Sequence, residues 1–206
     1  GGGVVGRWGP GFGERRARLD GGGERGLERG VSDRTGRERA KVGLHERLIA
    51  HRGQRGELRL AAGFLVSGGV VDAGADWLLL DDPGHRSPGA QGRAGDQRSL
   101  ATFGSSLIPF GAIVAITGLG TRSAAGPGVA TAKRFGLGYA LRGLSRDRSV
   151  VSLTDIAGSV TTGTIDGVGA DALDLSEHPA DVARRSMNVL ARRVIPFTAI
   201  VVVRNS

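Results

Sequence analysis

Two stretches of this chain recur, and that duplication limits what it can fold into more than any other feature. Residues 63–82 return without a gap as 158–177, so that Gly63, Gly68, Gly74, Ala75, Asp76, Leu78 and Leu80 reappear as Gly158, Gly163, Gly169, Ala170, Asp171, Leu173 and Leu175. A closing block, 107–116, returns as 194–203, with Ile108-Pro109-Phe110 matched by Ile195-Pro196-Phe197. Two blocks repeated in the same order mark a duplicated unit. In a chain of 206 residues they predict two small domains of roughly 65 to 75 residues each. A unit of that size buries only about 60% of the surface its unfolded chain exposes. Each copy is therefore expected to lean on its twin, on a leading helix or on a second chain.

Within the first copy, residues 57–62 alternate through Leu58 and Leu60 as a half-buried strand does, and 64–72 resume after a turn at Gly63. Gly74-Ala75-Asp76 breaks the run before 77–80, and glycine there supplies the freedom of a tight turn or bulge. Pro109 cannot donate to a ladder, so it marks a corner before a last strand at 112–117. The second copy repeats this order at 150–154, 159–166, the Gly169-Ala170-Asp171 corner and 173–175. Polar excursions at 83–106 and 178–193 separate the blocks. Ala40, Leu44 and Leu48, with Ile49, predict a helix ahead of the first copy that stops at Gly53. Leu137, Leu141 and Leu144, with Phe135 and Tyr139 beside them, predict one ahead of the second, capped by Thr131. The organisation read from this pattern is an arm at 1–34, a helix and first unit at 35–117, a linker at 118–130, and a helix and second unit at 131–206. The glycine- and arginine-rich arm lacks the apolar content to offset ordering entropy and is expected to be disordered. A solvated tail or an out-of-frame or truncated start is preferred for it over an RNA-folding arm.

Charge locates the candidate binding residues. The net charge is +8, with 13 basic against 7 acidic side chains in 1–56, 4 against 6 in 57–120, and 11 against 7 in 121–206. Lys133, Arg134, Arg142, Arg146 and Arg148 surround the second leucine stripe, and Arg184, Arg185, Arg192 and Arg193 fall in the second excursion. Both groups are candidate phosphate contacts, and solvated polar faces are the competing reading. No cysteine is present, which excludes disulfides and thiolate metal sites and fits a reducing compartment. The apolar runs are too short to cross a bilayer, so a cytoplasmic protein without membrane attachment is expected.

Catalytic patterns are missing. The chain has two lysines, neither after a phosphate-cradling glycine loop, and Gly118-Leu119-Gly120 is followed by Ser123 where a dinucleotide loop needs its third glycine. Asp76 and Asp171 are equivalent repeat positions and read as turn residues rather than an acid-base pair. His45 and His51 lie six apart and read as surface residues rather than a metal pair. A non-enzymatic protein with no cofactor and no metal is expected.

The glycine-punctuated strands, the Gly-Ala-Asp corner, the Leu-x-Leu strand and the closing Ile-Pro-Phe block resemble the small bent barrels of the Sm-like and SH3-like type, over residues 40–117 and 131–206. That resemblance implies a mainly β fold: two tandem small Sm-like/SH3-like β-barrels, each preceded by an α-helix, after a disordered N-terminal arm. The arrangement is also similar to a family from high-GC bacteria sometimes labelled as Fis-type transcriptional regulators, although the chain has no Fis-like helix-turn-helix. Sm-like proteins hold RNA through an asparagine after the aspartate corner and a basic glycine motif in the closing strands. Here Leu79 and Asp174 stand near the asparagine position and Ile-Pro-Phe replaces the motif, so the resemblance carries the fold and none of the RNA-binding residues. The expected function is nucleic-acid binding, to RNA or DNA, in a regulatory role. The alternative is an interaction or assembly module acting through barrel-edge strands, with a homo-oligomer or another protein as partner.

Overall fold

The alternation at 57–62 does produce a strand. In the computed structural model, β1 (Arg55–Leu60) buries Gly56, Leu58 and Leu60 and exposes Arg55, Glu57 and Arg59. The structure describes residues 42–81, 104–181 and 188–205, so the arm at 1–34 and most of the 83–106 excursion lie outside the described residues. The first copy continues through β2 (Leu65–Ala73), β3 (Trp77–Asp81), β4 (Ser105–Pro109) and β5 (Ile113–Thr117). The second follows with β6 (Val150–Asp155), β7 (Val160–Val168), β8 (Ala172–Glu177), β9 (Ala191–Pro196) and β10 (Ile200–Asn205). Each Ile-Pro-Phe block makes the corner its proline predicts, because one 3₁₀ turn, Phe110–Ala112 or Phe197–Ala199, separates the last two strands.

The strand order is β5-β1-β2-β3-β4-β10-β6-β7-β8-β9, which is one five-strand order written twice. Irregularities repeat as well: the β2–β3 register shifts between Val70 and Asp72, and the β7–β8 register shifts at the equivalent Ile165 and Gly167. The mainly β expectation holds. In place of two separately closed barrels there is one continuous ten-stranded antiparallel sheet, because β4 of the first copy pairs with β10 of the second, Leu107 opposite Val203 and Ser106 opposite Arg204. A small barrel that leaves an edge strand open gains ladder bonds by this junction.

The two hydrophobic cores lie on opposite faces of the junction. Leu78, Leu80 and Ile108 join Leu58, Leu60, Val66, Val201 and Val202 in one, while Trp77, Leu79, Leu107 and Val203 join Leu141, Leu153, Ile165 and Leu175 in the other. Successive strand residues point to opposite faces, so a strand buried on both must be apolar throughout. Trp77-Leu78-Leu79-Leu80 and Val202-Val203 are such runs, while Val201, at the register shift between Ile200 and Val202, joins the same core as Val202. Each copy therefore lends side chains to the core of the other.

Helix α1 (Leu44–Ala50) packs on β2. The helix expected from Thr131 onward is two helices, α2 (Pro127–Ala132) and α3 (Leu137–Arg146), and α3 packs on β7. Thr131 is no cap, since its hydroxyl donates to the Pro127 carbonyl inside α2. The cap of α3 comes from the first copy instead: the Asp76 carboxylate accepts the Leu137 N–H at 2.6 Å, which satisfies an unpaired donor and sets a negative charge at the positive helix end. The main-chain role of the corner is the same in both copies, since the Asp171 carbonyl accepts the Phe197 N–H as the Asp76 carbonyl accepts that of Phe110. His45 and His51, expected at the surface, are buried. The ring nitrogens of His45 face the carbonyls of Gly74 and Val129. His51 bonds the Arg47 carbonyl through Nδ1, while its Nε2 accepts the Gly120 N–H. They tie α1 to the linker and to the glycine corner.

Candidate nucleic-acid interface

Helix α3 has two unlike stripes. Leu137, Ala140, Leu141 and Leu144 are buried against the sheet, at the spacing of one helical face. The opposite stripe runs Phe135, Tyr139, Arg142, Arg146, each four or three residues from the last, and all four are exposed. Phe135, just ahead of the helix, packs against Tyr139 in a tilted pair with ring centroids 4.5 Å apart and an interplanar angle of 38°. Solvent reaches 38% of Phe135 and 52% of Tyr139, a large apolar area to leave open in a chain with nine aromatic side chains. The main chain beneath them is held firmly. The Phe135 carbonyl accepts both the Trp77 indole N–H and the Ala75 N–H at 2.9 Å.

The basic candidates divide by environment. Arg142 donates to the Gly169 carbonyl at 3.2 Å, which steers its guanidinium toward the second corner, and Arg146 lies in the last turn of α3. Arg134 and Arg148 are exposed on either side of the helix, Arg148 with a left-handed backbone at φ 50°. Lys133 is paired to Glu46 of α1. Its hydrogen bond holds the Glu46 carboxyl below the ordinary glutamate range, against the opposing effect of burial. That pair fastens the end of α2 to α1 and occupies the Lys133 ammonium, one of the candidate phosphate contacts.

Arg192 and Arg193 are not loop residues. They lie on β9, where successive side chains point to opposite faces, and Arg193 bonds Glu177 at 2.7 Å. Arg184 and Arg185 lie outside the described residues, so the four-arginine patch expected at 178–193 is represented by its strand half alone. Of the basic candidates, Arg142 and Arg146 share one exposed face of α3 with Phe135 and Tyr139. The aromatic pair is hidden in the sequence because Phe135 and Tyr139 stand beside the leucine stripe. Their four-residue spacing, continued by Arg142 and Arg146, is the signal that separates them from it.

Among the described residues, no group of three or more His, Asp or Glu is arranged to hold a metal, and no helix is long and apolar enough to cross a membrane. Comparison with protein-family models, curated proteins and solved structures finds no match for this chain.

Proposed function

We propose that the protein is a non-enzymatic nucleic-acid-binding module, built on two Sm-like/SH3-like halves, that holds single-stranded RNA or DNA on the exposed face of α3. The observation that carries this reading is the exposed Phe135–Tyr139 ring pair continued along the same stripe by Arg142 and Arg146. Bases stack on aromatic rings without regard to sequence, and guanidinium groups a helical turn away reach the phosphates. The excess of positive charge in 121–206 supplies long-range attraction to the same region.

The test is polarisation titration of a labelled single-stranded oligonucleotide at several salt concentrations. Tyr139→Ala is expected to weaken binding by about 5- to 150-fold, the loss of roughly 1–3 kcal/mol of stacking. Arg142→Gln with Arg146→Gln should flatten the salt dependence by about 0.7 in logarithmic slope for each phosphate that is no longer neutralised. Absence of binding by the parent protein at low salt, or full affinity in Tyr139→Ala, would refute the assignment.

A further inference from the structure

Among the described residues the sheet ends in two open edges, β5 and β9, and each is the repeat counterpart of a strand already joined at the junction. Strand β5 corresponds to β10 and β9 to β4, so the free edges are the two halves of a contact the chain makes once within itself. Burial shows what is left over. Leu107 on β4 is 3% exposed while its counterpart Val194 on β9 is 72% exposed; Val201 on β10 is fully buried while its counterpart Val114 on β5 is 57% exposed.

A groove beside β9 gives the same result independently. It has a volume of about 520 Å³ and is lined in part by Leu153, Thr161, Ile195 and Ala199. Their first-copy counterparts, Leu58, Val66, Ile108 and Ala112, belong to the core that Val201 and Val202 of β10 complete. The groove is thus the site those two valines occupy in the other half. The residues of β5 equivalent to them are Val114 and Ala115, both exposed.

From this complementarity we infer that chains associate head to tail, β9 of one against β5 of the next, repeating the β4–β10 junction between molecules. The internal register, Val203 opposite Leu107 and Arg204 opposite Ser106, transfers to Ile116 opposite Val194 and Thr117 opposite Arg193. Each joint then matches one arginine with one hydroxyl side chain, with the roles exchanged between strands. Arginine on an edge strand often serves to discourage pairing. Here the internal junction accommodates Arg204, whose Nε donates to the Ser106 hydroxyl at 3.2 Å. The joint between chains is less apolar than the internal one, because Ala172, Asp174 and Val194 take the places of Trp77, Leu79 and Leu107. It is therefore expected to be reversible. A heterologous contact of this kind closes into a ring or extends as a filament according to its rotation.

The absence of native cysteine makes the register directly testable. Residues opposite one another on antiparallel strands have Cα atoms about 4.5–5.5 Å apart, within the span a disulfide needs. Full-length Ile116→Cys and Val194→Cys chains, mixed under mild oxidation, should give a cross-linked dimer that grows no further. Neither variant alone should cross-link, and the double variant should yield a ladder or a closed ring. Ile116→Cys mixed with Arg192→Cys, which shares the face of Val194 but lies two residues out of register, about 7–8 Å away on the diagonal, should cross-link far more slowly. In sedimentation the parent should exceed the mass of one chain at physiological salt, and Val194→Lys should return it to that mass. A parent that sediments as one chain, together with no cross-link in the mixture, overturns the proposal. So does Val194→Cys linking to itself as readily as to Ile116→Cys.

Discussion

Replacing Gly163 with alanine is expected to lower folding stability by about 3 kcal/mol, the upper end of what overpacking usually costs, and Gly68→Ala should cost a similar amount. A Cβ at Gly163 would lie 2.1 Å from the carbonyl oxygen of Ser176 and 2.8 Å from its carbon, and one at Gly68 would lie 2.2 Å from the carbonyl oxygen of Asp81. The obstacle is backbone. Ser176 and Asp81 are repeat equivalents on β8 and β3, and β8 is paired on both sides, so neither a rotamer change nor a small shift of one strand relieves the clash. Gly111, whose Cβ would meet nothing within 4 Å, provides the comparison: Gly111→Ala should stay within about 0.5 kcal/mol of the parent. Denaturant unfolding of the three variants decides the matter, and equal midpoints for Gly163→Ala and Gly111→Ala would show that β7 and β8 do not approach as described.

Trp77→Ala should be as damaging or more so, at about 3–5 kcal/mol. The indole is buried in the core that also holds Leu137, Leu141 and Leu153, although Trp77 belongs to the first copy by sequence. It also fills the space beside Gly74, where a Cβ would lie 2.1 Å from Nε1. That glycine is therefore needed for close approach rather than for an unusual backbone angle. Trp77→Phe keeps most of the apolar volume and loses the hydrogen bond to Phe135, whose carbonyl retains Ala75 as a donor. It should cost roughly 1 kcal/mol beyond the lost packing. The order of unfolding midpoints should be parent, then Phe, then Ala. A Trp77→Ala protein as stable as the parent would place the indole outside the core.

The strands and corners are legible because they follow from local rules: alternation at Leu58 and Leu60, a proline that cannot donate at 109 and 196, and glycines at 68 and 163 where no side chain fits. The junction is not, since nothing local states which edges meet. Its trace is a difference between copies. Leu79 answers to Asp174, and Val201-Val202-Val203 answers to Val114-Ala115-Ile116, because the first member of each comparison is covered on both faces and the second is not. Comparing the copies for divergence, rather than for identity, exposes it. The candidate site is half legible. Positive charge on α3 can be counted, whereas the exposure of Phe135 and Tyr139 depends on which stripe the sheet covers. The burial of the two histidines leaves no sequence signal because their partners, the carbonyls of Gly74 and Val129 and the N–H of Gly120, are distant along the chain.

Native-state hydrogen exchange with Leu107→Ala tests the shared sheet most directly. Leu107 lies on a first-copy strand but packs in the core of the second copy. Amides of β2 and β7 should open with one common free energy in the parent, and the substitution should lower both by the same amount. Two distinct opening energies, with β7 unmoved by Leu107→Ala, would mean that the halves fold as independent barrels and that the β4–β10 junction does not hold them together.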